Sequence, residues 1–179
     1  MRVISGKARR TALVTPKGQA TRPTADRIKE NLFNIISPLV PDARFLDIFC
    51  GSGAIGIEAL SRGAKEAVFI DISKDAIQAT RSNLTRTRFE EYSKVLKAHA
   101  LEAIHGLKHS SFDIIFMDPP YGSGLLATSA QAASTLLSGE GILITEIGLD
   151  ESLLSTESLV MYDERAYGNT RLVFYKRKV

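Results

Sequence analysis

The run Phe112-Asp-Ile-Ile-Phe-Met-Asp-Pro-Pro-Tyr121 constrains this chain more than any other stretch. Ile114 to Met117 are apolar without a break, the pattern of a strand covered on both faces, as in the middle of a parallel sheet. Asp118 then stands at the strand's carboxyl end, the edge where open α/β sheets bind ligands. Pro119 and Pro120 have no N–H to donate, and each holds the residue before it extended. Tyr121 adds an aromatic ring beside the carboxylate. A carboxylate, a free backbone carbonyl and a flat ring can together grip a planar group bearing an exocyclic amine. Taken alone, these residues also fit a strand that ends in a proline turn and binds nothing.

The chain around this run alternates strands and helices. Strands are predicted at Phe45–Phe49, Ala67–Ile70, Lys94–Lys97, Phe112–Met117 and Gly141–Ile147. Helices are predicted at Ala54–Arg62, Asp75–Leu84, Leu101–Leu107 and Leu125–Leu137. Repeated β-α units imply a parallel α/β sheet with helices on both faces and right-handed crossovers. Leu159–Tyr162 and Arg171–Tyr175 flank Gly168-Asn169 and read as a terminal hairpin. Arg2–Ser5 and Thr11–Thr15 read as a small leading hairpin with basic residues at its turn. Ile28, Leu32, Ile35 and Ile36 then recur at helical spacing, with Thr24 as N-cap and Pro38 as stop. No linker composition separates two domains, so residues 1–40 are expected as an extension carried by a 41–179 domain.

Asp47-Ile-Phe-Cys-Gly-Ser-Gly-Ala-Ile-Gly56 joins the first strand to its helix, and Gly51, Gly53 and Gly56 satisfy G-x-G-x-x-G. A dinucleotide-binding domain therefore has to be weighed. Asp71, ending the second strand, suits ribose hydroxyls in either class of cofactor. Asp47 separates the two classes: at the pocket wall it would repel a pyrophosphate but suit the ammonium and sulfonium charges of S-adenosylmethionine. Cys50, inside this loop, reads as a small packing residue. His105 and His109 show no metal-ligand spacing.

Composition adds a direction. The net charge of +3 hides a basic leader: residues 1–30 carry Arg2, Lys7, Arg9, Arg10, Lys17, Arg22, Arg27 and Lys29 against Asp26 and Glu30. Such asymmetry suggests an anionic partner engaged from one side, with nucleic acid favoured over a merely solvated surface. The lone cysteine excludes an internal disulfide, and no stretch has the length of a signal peptide's apolar core or a membrane span. A cytoplasmic protein is expected.

Asp118-Pro-Pro-Tyr121 resembles motif IV of the S-adenosylmethionine-dependent amino-methyltransferases, and Asp47-x-x-x-Gly-x-Gly resembles their motif I. With Arg22-Pro-Thr-Ala-Asp-Arg27 and the flanking sequence, the chain from Arg2 to Tyr175 is similar to the RsmD-type methyltransferases, bacterial enzymes that methylate a guanine N2 amine in small-subunit (16S) ribosomal RNA. The resemblance implies a Rossmann-like class I methyltransferase, with a seven-stranded, mostly parallel sheet and an antiparallel end. It implies catalytic roles for Asp118, Pro119, Pro120 and Tyr121. The implied S-adenosyl-L-methionine site comprises Asp47, Gly51, Ser52, Gly53, Asp71 and Ile72, with His99 and Ala100 near the adenine. RNA contacts are implied at Lys7, Arg9, Arg10, Arg22, Thr24 and Arg27. Departures from the family pattern are Arg10 where glycine is common, Cys50 for a small residue, Asp71 for glutamate, and His99 for an acid or amide.

The expected partner is ribosomal RNA or an assembling small subunit, engaged by a monomer. Two other readings stay open: an adenine-N6 or cytosine-N4 methyltransferase acting on DNA, and a non-catalytic RNA-binding assembly factor on the same fold. A protein-glutamine target fits the basic leader less well.

Overall fold

Strands that are apolar on both faces need cover on both, and the sheet supplies it. A computed structural model describes residues 1–16, 23–109, 111–120 and 122–178, with side chains left out at 23–25. Five strands run parallel: β1 (Arg44–Ile48), β2 (Glu66–Asp71), β3 (Ser93–Lys97), β4 (Phe112–Met117) and β5 (Leu137–Gly148). β6 (Leu159–Tyr167) and β7 (Thr170–Arg177) form the terminal hairpin. β7 slots antiparallel between β5 and β6, giving the order β3-β2-β1-β4-β5-β7-β6. The order reverses between β1 and β4, which opens a crevice at their carboxyl ends.

One face carries Phe45, Phe69, Ile114, Phe116, Ile144 and Phe174 beneath α1 (Pro23–Ile36) and α2 (Ala54–Ser61). The other carries Leu46, Ile70, Ile115, Met117, Leu143 and Val173 beneath α4 (Ala100–His105) and α5 (Leu125–Ala133). Between α2 and α4 in the chain lies α3 (Lys74–Thr87), whose Leu84 joins the first core. The expected Rossmann-like sheet with its antiparallel end is present.

The leading hairpin is not a regular one. Its ladder reduces to a single antiparallel bridge, Arg2 to Ala12. Gly6 sits at φ +81, where a Cβ would lie 1.8 Å from the Ser61 carbonyl oxygen. Arg10 also lies in the left-handed region, at φ 72, which explains why glycine suits that position. Groups that a ladder would satisfy turn to α2 instead. Glu58 accepts the Ile4 and Ser5 N–H groups at 2.8 and 3.0 Å, and the Ser61 hydroxyl accepts the Ala8 N–H at 3.0 Å. Glu58 is fully buried and also holds Arg62 Nε at 2.8 Å and Lys29 Nζ at 3.7 Å. Lys29, 2% exposed, donates to the Arg2 carbonyl at 2.6 Å. A buried acid and two cations therefore clamp the arm, α1 and α2 together.

Of the boundaries that differ from the sequence expectation, two have a direct physical reason. α1 begins at Pro23, so Thr24 lies inside its first turn rather than at the N-cap. A proline in that position gives up no intrahelical hydrogen bond. α5 stops at Ala133, not Leu137: the Ser134 and Thr135 hydroxyls donate back to the Gln131 and Ala132 carbonyls at 2.7 and 2.8 Å. The chain tightens into a 3₁₀ turn, Ser134–Leu136, and Leu137 already pairs with Phe112 in the sheet.

Candidate active site

A cavity of about 610 Å³ occupies the crevice, lined by the loop after β1, the end of β2, the Asp118-Pro-Pro turn and the end of β5. Its glycine loop is held from behind. Asp47 is 1% exposed and accepts the Gly56 N–H at 3.0 Å. Gly53, at φ +73, caps α2. A Cβ on Gly56 would come within 2.3 Å of the Phe69 ring, so only glycine lets helix and sheet approach this closely. Thr80 Oγ1 donates to the Gly51 carbonyl at 3.0 Å, and Asn83 Nδ2 to the Ser52 carbonyl at 2.9 Å. Phe49, at φ 63, turns the loop into the cavity.

This corrects the expectation for Asp47. Its carboxylate does not line the cavity; it fixes the glycine loop that does. Burial, with the Asp118 and Asp71 charges added, raises its carboxyl to about 7, against the Gly56 hydrogen bond. Asp71 does face the cavity. Its two oxygens accept the Gly51 and Ser73 N–H groups at 2.9 and 2.8 Å, and each keeps lone-pair capacity for a ligand hydroxyl. Ile72, 52% exposed, forms a shelf shared with an apolar recess of about 120 Å³. His99 and Ala100 line that recess with Phe49, Leu101 and Leu125. Cys50 lines the main cavity, but burial raises its thiol far from ionisation, and its sulfur sits 3.6 Å from Thr80 Oγ1. That matches the packing role expected for it.

Asp118 is exposed at the mouth of the cavity, with protein crowding it from behind. That crowding and the Glu151 charge raise its carboxyl to about 7. Glu151 ties the neighbouring loops by accepting the Gly122 and Gly148 N–H groups, both at 3.1 Å. Glu146, half-buried at the end of β5, is raised to about 8 by burial and then by Asp118. Asp71, Asp75, Asp118 and Glu146 line the cavity against one lysine, Lys29, among the described residues. Burial lowers the proton affinity of Lys29, while Glu58 and Asp26 oppose the fall.

Arg27 is exposed on α1 and is not among the cavity residues; Lys29, two positions on, takes that place. Lys7, Arg9 and Arg10 project from the arm, all exposed. Tyr121, Arg22 and the Thr24 side chain lie outside the described residues. Glu146 was missed in the sequence, although Ile142-Leu-Ile-Thr-Glu146 resembles Ile114-Ile-Phe-Met-Asp118 in setting an acid after a mostly apolar run near the carboxyl end of a strand.

Residues 1–176 match the family model described as Conserved hypothetical protein 95. Ribosomal RNA small subunit methyltransferase D of Escherichia coli (strain K12) is 36% identical over 160 residues, covering 89% of this chain and 75% of that one. The chain belongs to the RsmD family. The Bacillus subtilis (strain 168) protein YlbH is 37% identical over 183 residues, 99% of this chain and 100% of its own length. A solved structure of the Escherichia coli protein yhhF superposes with a TM-score of 0.85 at 31% identity, covering 99% of this chain and 98% of that one. The RsmD-family architecture is thus a class I methyltransferase sheet, with its acidic cavity at the topological switch point.

Proposed function

We propose that this chain transfers a methyl group from S-adenosyl-L-methionine to the exocyclic N2 amine of a guanine in small-subunit ribosomal RNA. One observation carries the choice of donor: among the described residues, four carboxylates line the cavity against one lysine. Three acids in and behind it, Asp47, Asp118 and Glu146, have raised proton affinities. Among the described residues acids outnumber cations in this site, so it suits a ligand bearing an ammonium and a sulfonium and opposes a dinucleotide pyrophosphate. Asp71 would take the ribose hydroxyls, Ile72 and the His99 recess the adenine, and Gly51 and Ser52 the loop-facing edge. When bound, S-adenosylmethionine supplies an electrophilic methyl group on sulfur.

The protein's own work is on the amine. An aromatic amine is a weak nucleophile because its lone pair is delocalised into the ring. Asp118 and the Pro119 carbonyl accept its two hydrogens, favouring a tetrahedral nitrogen with its lone pair directed at the donor. The carboxylate also offsets positive charge developing on that nitrogen. No strong base is required, since the methylated nitrogen is acidic and releases its proton readily. Pro120 fixes the turn, and Tyr121 would stack on the base. A base in a helix or stack must first be splayed out.

The ribosomal substrate is supported by the family and by the basic arm. The name of the Escherichia coli relative specifies the small subunit. Lys7, Arg9 and Arg10 are exposed on an arm whose neighbours Met1 and Pro16 line the cavity. Together with Arg22, Thr24 and Arg27, these residues make residues 1–40 the extension that holds the RNA backbone, which supplies affinity rather than base choice. A cytoplasmic monomer acting on RNA or the assembling subunit completes the reading. The test offers labelled S-adenosylmethionine with small subunits, naked ribosomal RNA and DNA. Label is expected in ribosomal RNA or subunits; label in DNA alone overturns the substrate class.

A further inference from the structure

We propose that Glu146 reads the target ring: its carboxylate accepts the guanine N1–H while Asp118 and the Pro119 carbonyl hold the neighbouring N2 amine. The inference rests on the reading of the amine as a guanine N2 and supplies the reason for that choice. β4 and β5 run parallel with Met117 opposite Thr145, so Asp118 and Glu146 leave neighbouring strands at the same level. Adjacent strands lie about 4.8 Å apart. Ile114 and Phe116 share a sheet face with Ile142 and Ile144, and side chains alternate along each strand. Asp118 and Glu146 therefore emerge on that same face, and both line the cavity.

Glu146 makes no side-chain hydrogen bond or ion pair among the described residues. It stays half-buried beside another acid, an arrangement that is costly without a donor to satisfy it. The donor it lacks has a definite chemistry. On guanine the N2 amine is flanked by N1–H, a second donor facing the same way. On adenine the N6 amine is flanked by N1, and on cytosine the N4 amine by N3; both are acceptors and would meet the Glu146 lone pairs. A single carboxylate at Asp118 grips any of the three amines. Two ionised carboxylates side by side, the state that a cationic donor in the same cavity favours, select the base whose edge carries donors throughout.

The test uses the full chain and an RNA carrying either guanosine or 2-aminopurine riboside at the methylated position. 2-Aminopurine keeps the N2 amine but has an acceptor at N1. The wild type is expected to prefer guanosine by roughly 10–100-fold in kcat/KM, the range for one hydrogen bond to a charged group. Glu146→Gln can turn its amide either way and is expected to bring the two rates within about threefold of each other; Glu146→Ala, which removes both attraction and repulsion, does the same. An unchanged cooperative thermal unfolding transition checks that each variant is folded. A merely structural role slows both substrates alike, and an unchanged ratio in the variants overturns the proposal, as does equal use of both bases by the wild type. Digestion of the wild-type product is a separate readout: N2-methylguanosine with an unchanged ratio sinks only the role of Glu146, whereas its absence sinks the guanine reading itself.

Discussion

Replacing Asp118 with alanine is expected to lower methyl transfer by roughly 10²–10³-fold, the range seen when one preorganised electrostatic contact to a transition state is lost. S-adenosylmethionine affinity should fall by far less than turnover, because the donor's expected contacts at Asp71, Ile72 and the glycine loop remain and three cavity carboxylates still favour its positive charge. The loss should appear in kcat and in kcat/KM, marking an interaction that strengthens as charge develops on nitrogen. Turnover within a few-fold of wild type would remove Asp118 from the mechanism. The same group sets a pH dependence. Asp118 carries the charge that offsets the developing positive nitrogen only when ionised, and its carboxyl stands near 7, with Glu146, Glu151, Asp47 and Asp71 as neighbouring acids. Activity should therefore rise with pH through about 7 in kcat/KM for the free protein. In kcat the break should move lower, because a bound cation favours the ionised carboxylate. A profile flat from pH 6 to 8 in both parameters would contradict this.

The second large effect is on stability. Glu58→Ala leaves the buried Lys29 ammonium with Asp26, 3.8 Å away, as its remaining acid, leaves Arg62 without its carboxylate, and frees the Ile4 and Ser5 N–H groups. Breaking a buried ion pair from one side costs roughly 3–5 kcal/mol, which for a domain of this size lowers Tm by about 10 °C. Adding Lys29→Met should restore part of the loss, since the uncompensated charge goes with it. The double-mutant cycle by thermal or urea unfolding then shows coupling rather than additivity. Strictly additive losses would mean that Glu58 serves the arm alone. A weakened clamp also loosens the arm that carries Lys7, Arg9 and Arg10, so RNA affinity should fall with stability.

Much of this was legible in the residues because the signals were local. Ile114–Met117 and Phe45–Ile48 read as central strands since burial on both faces leaves no polar alternation to confuse them. Asp118, Asp71 and the glycine loop sat at strand ends where a parallel sheet gathers its ligands. The missed features needed partners distant in sequence. Glu58 and Lys29 look like ordinary surface charges on helices until the arm folds over them. Spacing alone assigns Asp47 to the pocket, but the residue is buried behind the cavity with one oxygen accepting the Gly56 N–H. Glu146 gains meaning only from the register that sets it beside Asp118. The leading hairpin failed because alternation predicted a ladder, whereas Gly6 and Arg10 turn through left-handed geometry and hand the hydrogen bonds to α2. At the end of α5, serine and threonine hydroxyls compete with the backbone, a known weakness of helical periodicity as a guide.

In the proposed reaction this cavity presents a guanine N2 amine to a methyl donor. Incubating the protein with labelled S-adenosylmethionine and small ribosomal subunits, digesting the RNA to nucleosides and weighing the labelled product tests it directly. The label should appear in N2-methylguanosine alone. Label in N6-methyladenosine or N4-methylcytidine would show that the two carboxylates at Asp118 and Glu146 do not select a donor edge, and the account would be wrong at its core.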